Sequence, residues 1–165
     1  MNFQVGDLVV YPPQGGGTIA EIVEREVLGA PQSYLKVGFV RGDMEVLVPL
    51  ERALEVGLRR TLPVSEFERL AEEAGMGEIE LPAQWPPRFR AEQDILARGD
   101  AFELARLVST LTRRDTERGL ASTEREVLEN ARTLLASEYA VVHDRSLADG
   151  EAWIDEALRE GSLAD

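Results

Sequence analysis

Most side chains that carry covalent chemistry are missing from this chain or stand alone in it. There is no cysteine, and His143 is the single histidine. Thiol nucleophiles and thiolate metal sites are therefore excluded, and zinc ligation or imidazole acid–base catalysis would rest on one ring. Such a ring is more often a plain polar residue near a helix end. Gly15-Gly16-Gly17 invites comparison with a phosphate cradle, but the Lys-Ser/Thr pair and helix start of a Walker loop do not follow it. A turn between strands is the better account of these glycines. The carboxylates are scattered along helix faces, where solvation is the expected role. The chain reads as non-enzymatic, with no cofactor and no metal.

Non-covalent chemistry remains, and it is concentrated in Gln84-Trp85-Pro86-Pro87-Arg88-Phe89-Arg90. An isolated tryptophan is commonly a core anchor. Here prolines follow it, a polar linker precedes it, and Arg88 and Arg90 lie close by, all of which favour exposure. A flat indole can wedge against an unstacked base step, each stacked base contributing about 1–3 kcal/mol. The arginines would supply phosphate contacts that carry no sequence information. Trp153, within an amphipathic stretch, is expected in the core. Two readings stay open at this point: a nucleic-acid wedge, or a protein-interaction adaptor with Trp85 buried against Phe89 or the following helices.

The charge pattern constrains both. A net charge of −13 argues against a protein that coats nucleic acid unaided. Residues 84–132 are balanced, with 9 basic and 9 acidic side chains, while residues 66–83 hold 1 and 6 and residues 133–165 hold 2 and 8. The arginines thus form a neutral band between acidic flanks. Weak intrinsic affinity for DNA is expected. No apolar run approaches the roughly 20 residues that span a bilayer, and no signal-peptide layout opens the chain. A cytoplasmic monomer without membrane contact is expected.

Two kinds of element must position the tryptophan segment. Leu8–Tyr11, Thr18–Val27, Ser33–Phe39 and Glu45–Val48 are rich in Val, Ile, Leu and Tyr and are separated by turn signals, which predicts a small antiparallel barrel. From Ser65 the period becomes helical. Ser65 and Glu68 have capping-box spacing, Pro86 and Pro87 set a helix entry, Asp100 is placed to cap a helix over 101–114, and Ser122 or Thr123 to cap a long one. A last helix is predicted over about 146–160. The expected fold class is α+β: a small Tudor/SH3-like antiparallel β-barrel over residues 1–63, then a compact five-helix domain over 64–165.

Phe3-Gln4-Val5-Gly6-Asp7-Leu8-Val9-Val10-Tyr11-Pro12, Val48-Pro49, Val56-Gly57-Leu58-Arg59, the Trp85 segment, and Arg113-Arg114-Asp115-Thr116-Glu117-Arg118-Gly119-Leu120 with Glu124-Arg125 and Ala131-Arg132 follow one another in a specific order. Together they closely resemble the CarD/CdnL family of bacterial transcription regulators, over nearly the whole chain. The resemblance implies a Tudor-like domain that binds the RNA polymerase β subunit in holoenzyme with the primary sigma factor. It also implies a helical domain lying on promoter DNA at the upstream edge of the open bubble, stabilising the open complex.

The resemblance also implies roles for individual positions. Arg25 falls where relatives direct an arginine to the β subunit, with Val37 and Pro49 on strands of that face. Leu47 stands where some relatives have a second interface arginine, and apolar packing would take its place. Trp85, Arg88, Arg90 and Arg125 match the DNA-contacting positions. Pro87 departs from the pattern by occupying a position that is basic in many relatives, which lowers the expected strength of DNA contact.

Overall fold

A computed structural model describes residues 2–164. Five strands lead, β1 (Leu8–Tyr11), β2 (Gly15–Val27), β3 (Ala30–Phe39), β4 (Glu45–Pro49) and β5 (Arg59–Arg60), and five helices follow, α1 (Phe67–Met76), α2 (Pro87–Arg98), α3 (Ala101–Arg118), α4 (Ser122–His143) and α5 (Leu147–Ala164). The strands form one antiparallel sheet in the order β4-β3-β2-β1-β5. Alternation decides its faces. Val9, Ile19, Leu35, Val37, Phe39 and Val48 point inward and pack with Phe3, Ala53 and Leu58. The outer face is polar, with Lys36 lying 3.8 Å from both Glu21 and Glu45. β2 and β3 extend as a long hairpin past this core, turning at Leu28 and Gly29, which have φ of 53° and 80°. Two left-handed residues in a two-residue turn match the right-handed twist of the strands.

The helices enclose a second core. Leu70, Leu104, Leu107, Val108, Leu111, Leu135 and Ile154 are almost completely inaccessible, at spacings of three and four along their helices. Asp100 caps α3 as its position predicts, accepting from the Glu103 amide at 3.0 Å. Other predicted caps do not form. A 3₁₀ turn over Val64–Glu66 precedes α1, which starts at Phe67 without a side-chain cap. Both Ser65 and Glu68 therefore miss the capping-box geometry. In α4, Ala121 takes the cap position, so Ser122 is already helical.

The triple glycine is not a turn. The turn is Pro12–Gln14, closed by Gln14 N–H to Tyr11 C=O at 2.9 Å, and the glycines open β2. Their lack of side chains serves another purpose. A Cβ on Gly16 would lie 2.6 Å from the Ser137 carbonyl oxygen, so only glycine lets β2 rest directly on α4. There the Gly16 amide donates to Ser137 Oγ at 2.9 Å. Beside this contact, Arg59 of β5 reaches Glu138 of α4 at 2.7 Å and donates to the Gly99 carbonyl at 2.9 Å. The Leu62 amide adds a bond to Glu138 at 2.8 Å. Sheet and helices are thus joined by buried and part-buried polar contacts, with each keeping its own apolar core.

Candidate functional site

Trp85 sits at the entry to α2. Pro87 occupies the first helical turn, where its missing N–H costs nothing, and the Arg88 amide bonds back to the Gln84 carbonyl at 2.9 Å. The chain is turned sharply, and the indole stands at the surface with 43% of its area exposed. One face is backed by Phe89, with ring centroids 4.9 Å apart and a 40° tilt. The Arg88 guanidinium lies 5.2 Å from the Trp85 ring centre, within cation–π range. Trp153 is half-buried against the helical core, stacking on Tyr139 at 4.8 Å.

The three candidate arginines fare differently. Arg90 is exposed and makes no ion pair among the described residues. Arg125 is half exposed but held by two 3.1 Å bonds to Asp115. Arg88 is only 11% exposed, and its donors are committed: Nε to Glu124 at 2.9 Å and Nη1 to the Ala83 carbonyl at 2.9 Å. A phosphate contact by Arg88 would have to break those bonds. Its side chain instead braces the tryptophan segment from beneath.

Beneath Arg88 lies a cluster that the sequence did not reveal. Glu92 and Glu124 are both buried, and Arg114 of α3 approaches Glu124 to 3.7 Å. Burial first, then the hydrogen bond and the charge of Glu124, push the Glu92 carboxyl up to about 8, against the pull of Arg88 and Arg114. Burial also raises Glu124. Hydrogen bonds from Glu92 and Arg88, with the charges of Arg88 and Arg114, outweigh that and hold it below the usual carboxylate range. Arg88 and Glu92 at i and i+4 look like an ordinary surface pair. The overlooked signal is that Glu92 shares the inward stripe of α2 with Phe89, Ile95 and Leu96.

A second candidate surface lies on the sheet. Register pairs Arg25 with Gln32, Lys36 with Leu47, and Tyr34 with Pro49, which puts Arg25, Leu47 and Pro49 on the outer face. Val37 does not join them. It pairs with Ile19 and Val46, points inward and is 0% exposed. Its alternation with the outward Lys36 explains why a strand can belong to a face that one of its residues never reaches. β4 is an edge strand, so one row of its backbone groups is free of sheet pairing.

Two family models match successive parts of the chain. The family described as "CarD, C-terminal domain" matches residues 70–155, and "CarD-like/TRCF RID domain" matches residues 3–62. "Putative transcription factor YdeB" of Bacillus subtilis (strain 168) is 30% identical over 140 residues, covering 85% of this chain and 92% of its own length. The chain belongs to the CarD family. CarD proteins are transcription factors rather than a known class of enzyme, and the domain type matched by residues 3–62 generally interacts with RNA polymerase. The Tudor-like sheet followed by five helices fits that membership. In this CarD-family chain, no helix among the described residues is long and apolar enough to cross a membrane.

Proposed function

We propose that this CarD-family protein binds the β subunit of RNA polymerase in holoenzyme with the primary sigma factor, and stabilises the open promoter complex by wedging Trp85 at the upstream edge of the bubble. The observation that carries the reading is the presentation of Trp85. A large indole is kept at the surface on a firm base of Phe89 and Arg88, beside Arg90, which makes no ion pair among the described residues. This speaks against an adaptor with a buried Trp85.

On the sheet, Arg25, Leu47 and Pro49 would face the β subunit, and edge strand β4 could accept a partner strand through main-chain hydrogen bonds. Polymerase delivers the protein to the promoter, so weak intrinsic DNA affinity is raised by effective concentration. This reconciles a charge of −13 with action on DNA. A protein that favours the distorted, open duplex over the closed one shifts the equilibrium by its differential affinity. Trp85 would supply that difference by stacking, while Arg90 and Arg125 would add backbone contacts.

The test is Trp85→Ala. The melting temperature and polymerase binding should stay nearly unchanged while the open complex decays faster. Were the indole a core element, the truncation would cost about 3–5 kcal/mol of stability. An unaltered decay rate in a folded variant that still binds polymerase rules the wedge out.

A further inference from the structure

Glu92 is the most anomalous side chain in the helical half. It is 0% exposed, and neither carboxyl oxygen receives a hydrogen bond from a donor among the described residues. Arg88 Nε lies 3.8 Å away, too far to satisfy it. The charged groups facing it are Glu124 from α4, Arg88 from its own helix and Arg114 from α3. Both guanidiniums lean toward Glu124, at 2.9 Å and 3.7 Å. Glu124 is therefore placed to carry the negative charge, and Glu92 is left without a counterion of its own. An ionised carboxylate with no donor is among the costliest groups to bury, whereas a protonated one needs only an acceptor. The Glu124 carboxylate is its neighbour, since the same Arg88 Nε lies 2.9 Å from Glu124 and 3.8 Å from Glu92.

We infer that Glu92 and Glu124 hold one proton between them and, with Arg88 and Arg114, form the platform that sets the position of Trp85. Glu92 is thus a positioning residue for the wedge, an inference that rests on the wedge reading of Trp85. The chain of contact is short. The Glu92 O–H donates to Glu124, Glu124 accepts from Arg88, and Arg88 donates to the Ala83 carbonyl two residues before Trp85 while lying against the indole. Loss of the proton would place two buried carboxylates against each other and draw Arg88 away from the tryptophan segment.

The direction with pH follows from the raised Glu92 carboxyl. Between the ordinary glutamate range and about 8 the folded chain holds a proton that the unfolded chain has released, so the contribution of Glu92 is full below the ordinary glutamate range and declines as pH rises toward about 8, while that of Glu124, held low, is lost only at acid pH. Above about 8 the platform is ionised. The two carboxyls titrate as a unit, and the raised step belongs to the pair.

Three measurements on the full chain decide the matter. Carbon-13 carboxyl NMR of the protein should show one side-chain carboxyl, lost in Glu92→Gln, that stays protonated at neutral pH and titrates near the raised value. A Glu92 carboxyl that titrates with the ordinary glutamates overturns the shared proton. In a Trp153→Phe background, Trp85 emission should change through the same step and lose that change in Glu92→Gln. Emission that stays flat while Glu92 titrates overturns the positioning role. In open-complex decay with polymerase at neutral pH, Glu92→Leu should shorten the lifetime severalfold, and Glu92→Gln, which keeps a donor toward Glu124, should restore most of it and abolish the dependence on pH. Equal lifetimes for the Leu and Gln variants count against the platform. Trp85→Ala run alongside separates the two readings. If that variant decays normally, the wedge fails by itself, and the platform stands or falls on the NMR and emission data, which involve no DNA.

Discussion

Arg88 and Arg90 lie two residues apart and carry the same charge, yet burial gives them different consequences. Arg88 neutralises Glu124 from within the protein, and its removal would leave that buried carboxylate with Arg114 alone at 3.7 Å. Stripping one partner from a buried ion pair costs about 3–5 kcal/mol. Arg88→Ala should therefore lower the melting temperature by on the order of ten degrees, and any loss of open-complex lifetime would accompany the loss of structure. Arg90→Ala removes an exposed guanidinium without an internal partner, so stability should stay within about 0.5 kcal/mol. Its effect should appear only in the lifetime of the promoter complex and should shrink as salt rises, because a phosphate contact is screened. Thermal melts and decay rates on the two variants check both statements, and equal melting temperatures would contradict the burial argument. Sequence alone groups these two arginines together, since it shows their charge and not the carboxylates waiting beneath one of them.

At the scale of elements, the docking of β2 on α4 depends on glycine rather than on a side chain. A Cβ at Gly16 meets the Ser137 carbonyl oxygen at 2.6 Å and the Ser137 carbonyl carbon at 2.9 Å, backbone atoms that cannot swing aside. Gly16→Ala should force strand and helix apart and cost about 1–3 kcal/mol, the range for overpacking. Gly38→Ala is the control. It lies in β3 with nothing within 4 Å of the added carbon, so it should be neutral or slightly stabilising. Matched melting curves for the two substitutions decide this. The elements were largely legible: runs rich in Val, Ile, Leu and Tyr between turn signals located the first four strands, period 3.6 located the helices, and Asp100 marked a true cap. Gly15–Gly17 misled because a turn and a close backbone approach call for the same residue. Ser65 and Ser122 misled because a serine near a helix start marks a cap only if the chain leaves the helix at that residue, which is set by packing. Glu92 stayed hidden because its i, i+4 spacing from Arg88 reads as an ordinary surface pair, although it falls on the apolar stripe of α2.

For the whole molecule, α2 is a strut between Trp85 and the β5 edge of the sheet. At 12 residues it spans about 18 Å. Its N-terminal end carries Trp85 and is fixed through Arg88 to α4. Its C-cap, Gly99, accepts two bonds from Arg59 of the sheet, at 2.9 Å and 3.0 Å. Arg59 also pairs with the buried Glu138, so one guanidinium ties the sheet to both α2 and α4. A rigid tie matters because a linked contact gains effective concentration only when the geometry allows both ends to engage. Arg59→Leu should leave polymerase binding by the outer face of the sheet intact while weakening the tie. It also leaves Glu138 buried without its counterion, so stability should fall by about 3–5 kcal/mol. Adding Glu138→Leu removes that unpaired charge and should recover much of the melting temperature, since apolar replacements of a buried pair are often tolerated. The lifetime of the open complex should not recover with it, because the bonds from Arg59 to Gly99 remain lost. Measuring melting temperature, polymerase binding and promoter-complex decay on the single and double variants therefore separates stability from geometry. A double variant with restored stability and a wild-type lifetime would show that α2 holds Trp85 in place without help from the sheet.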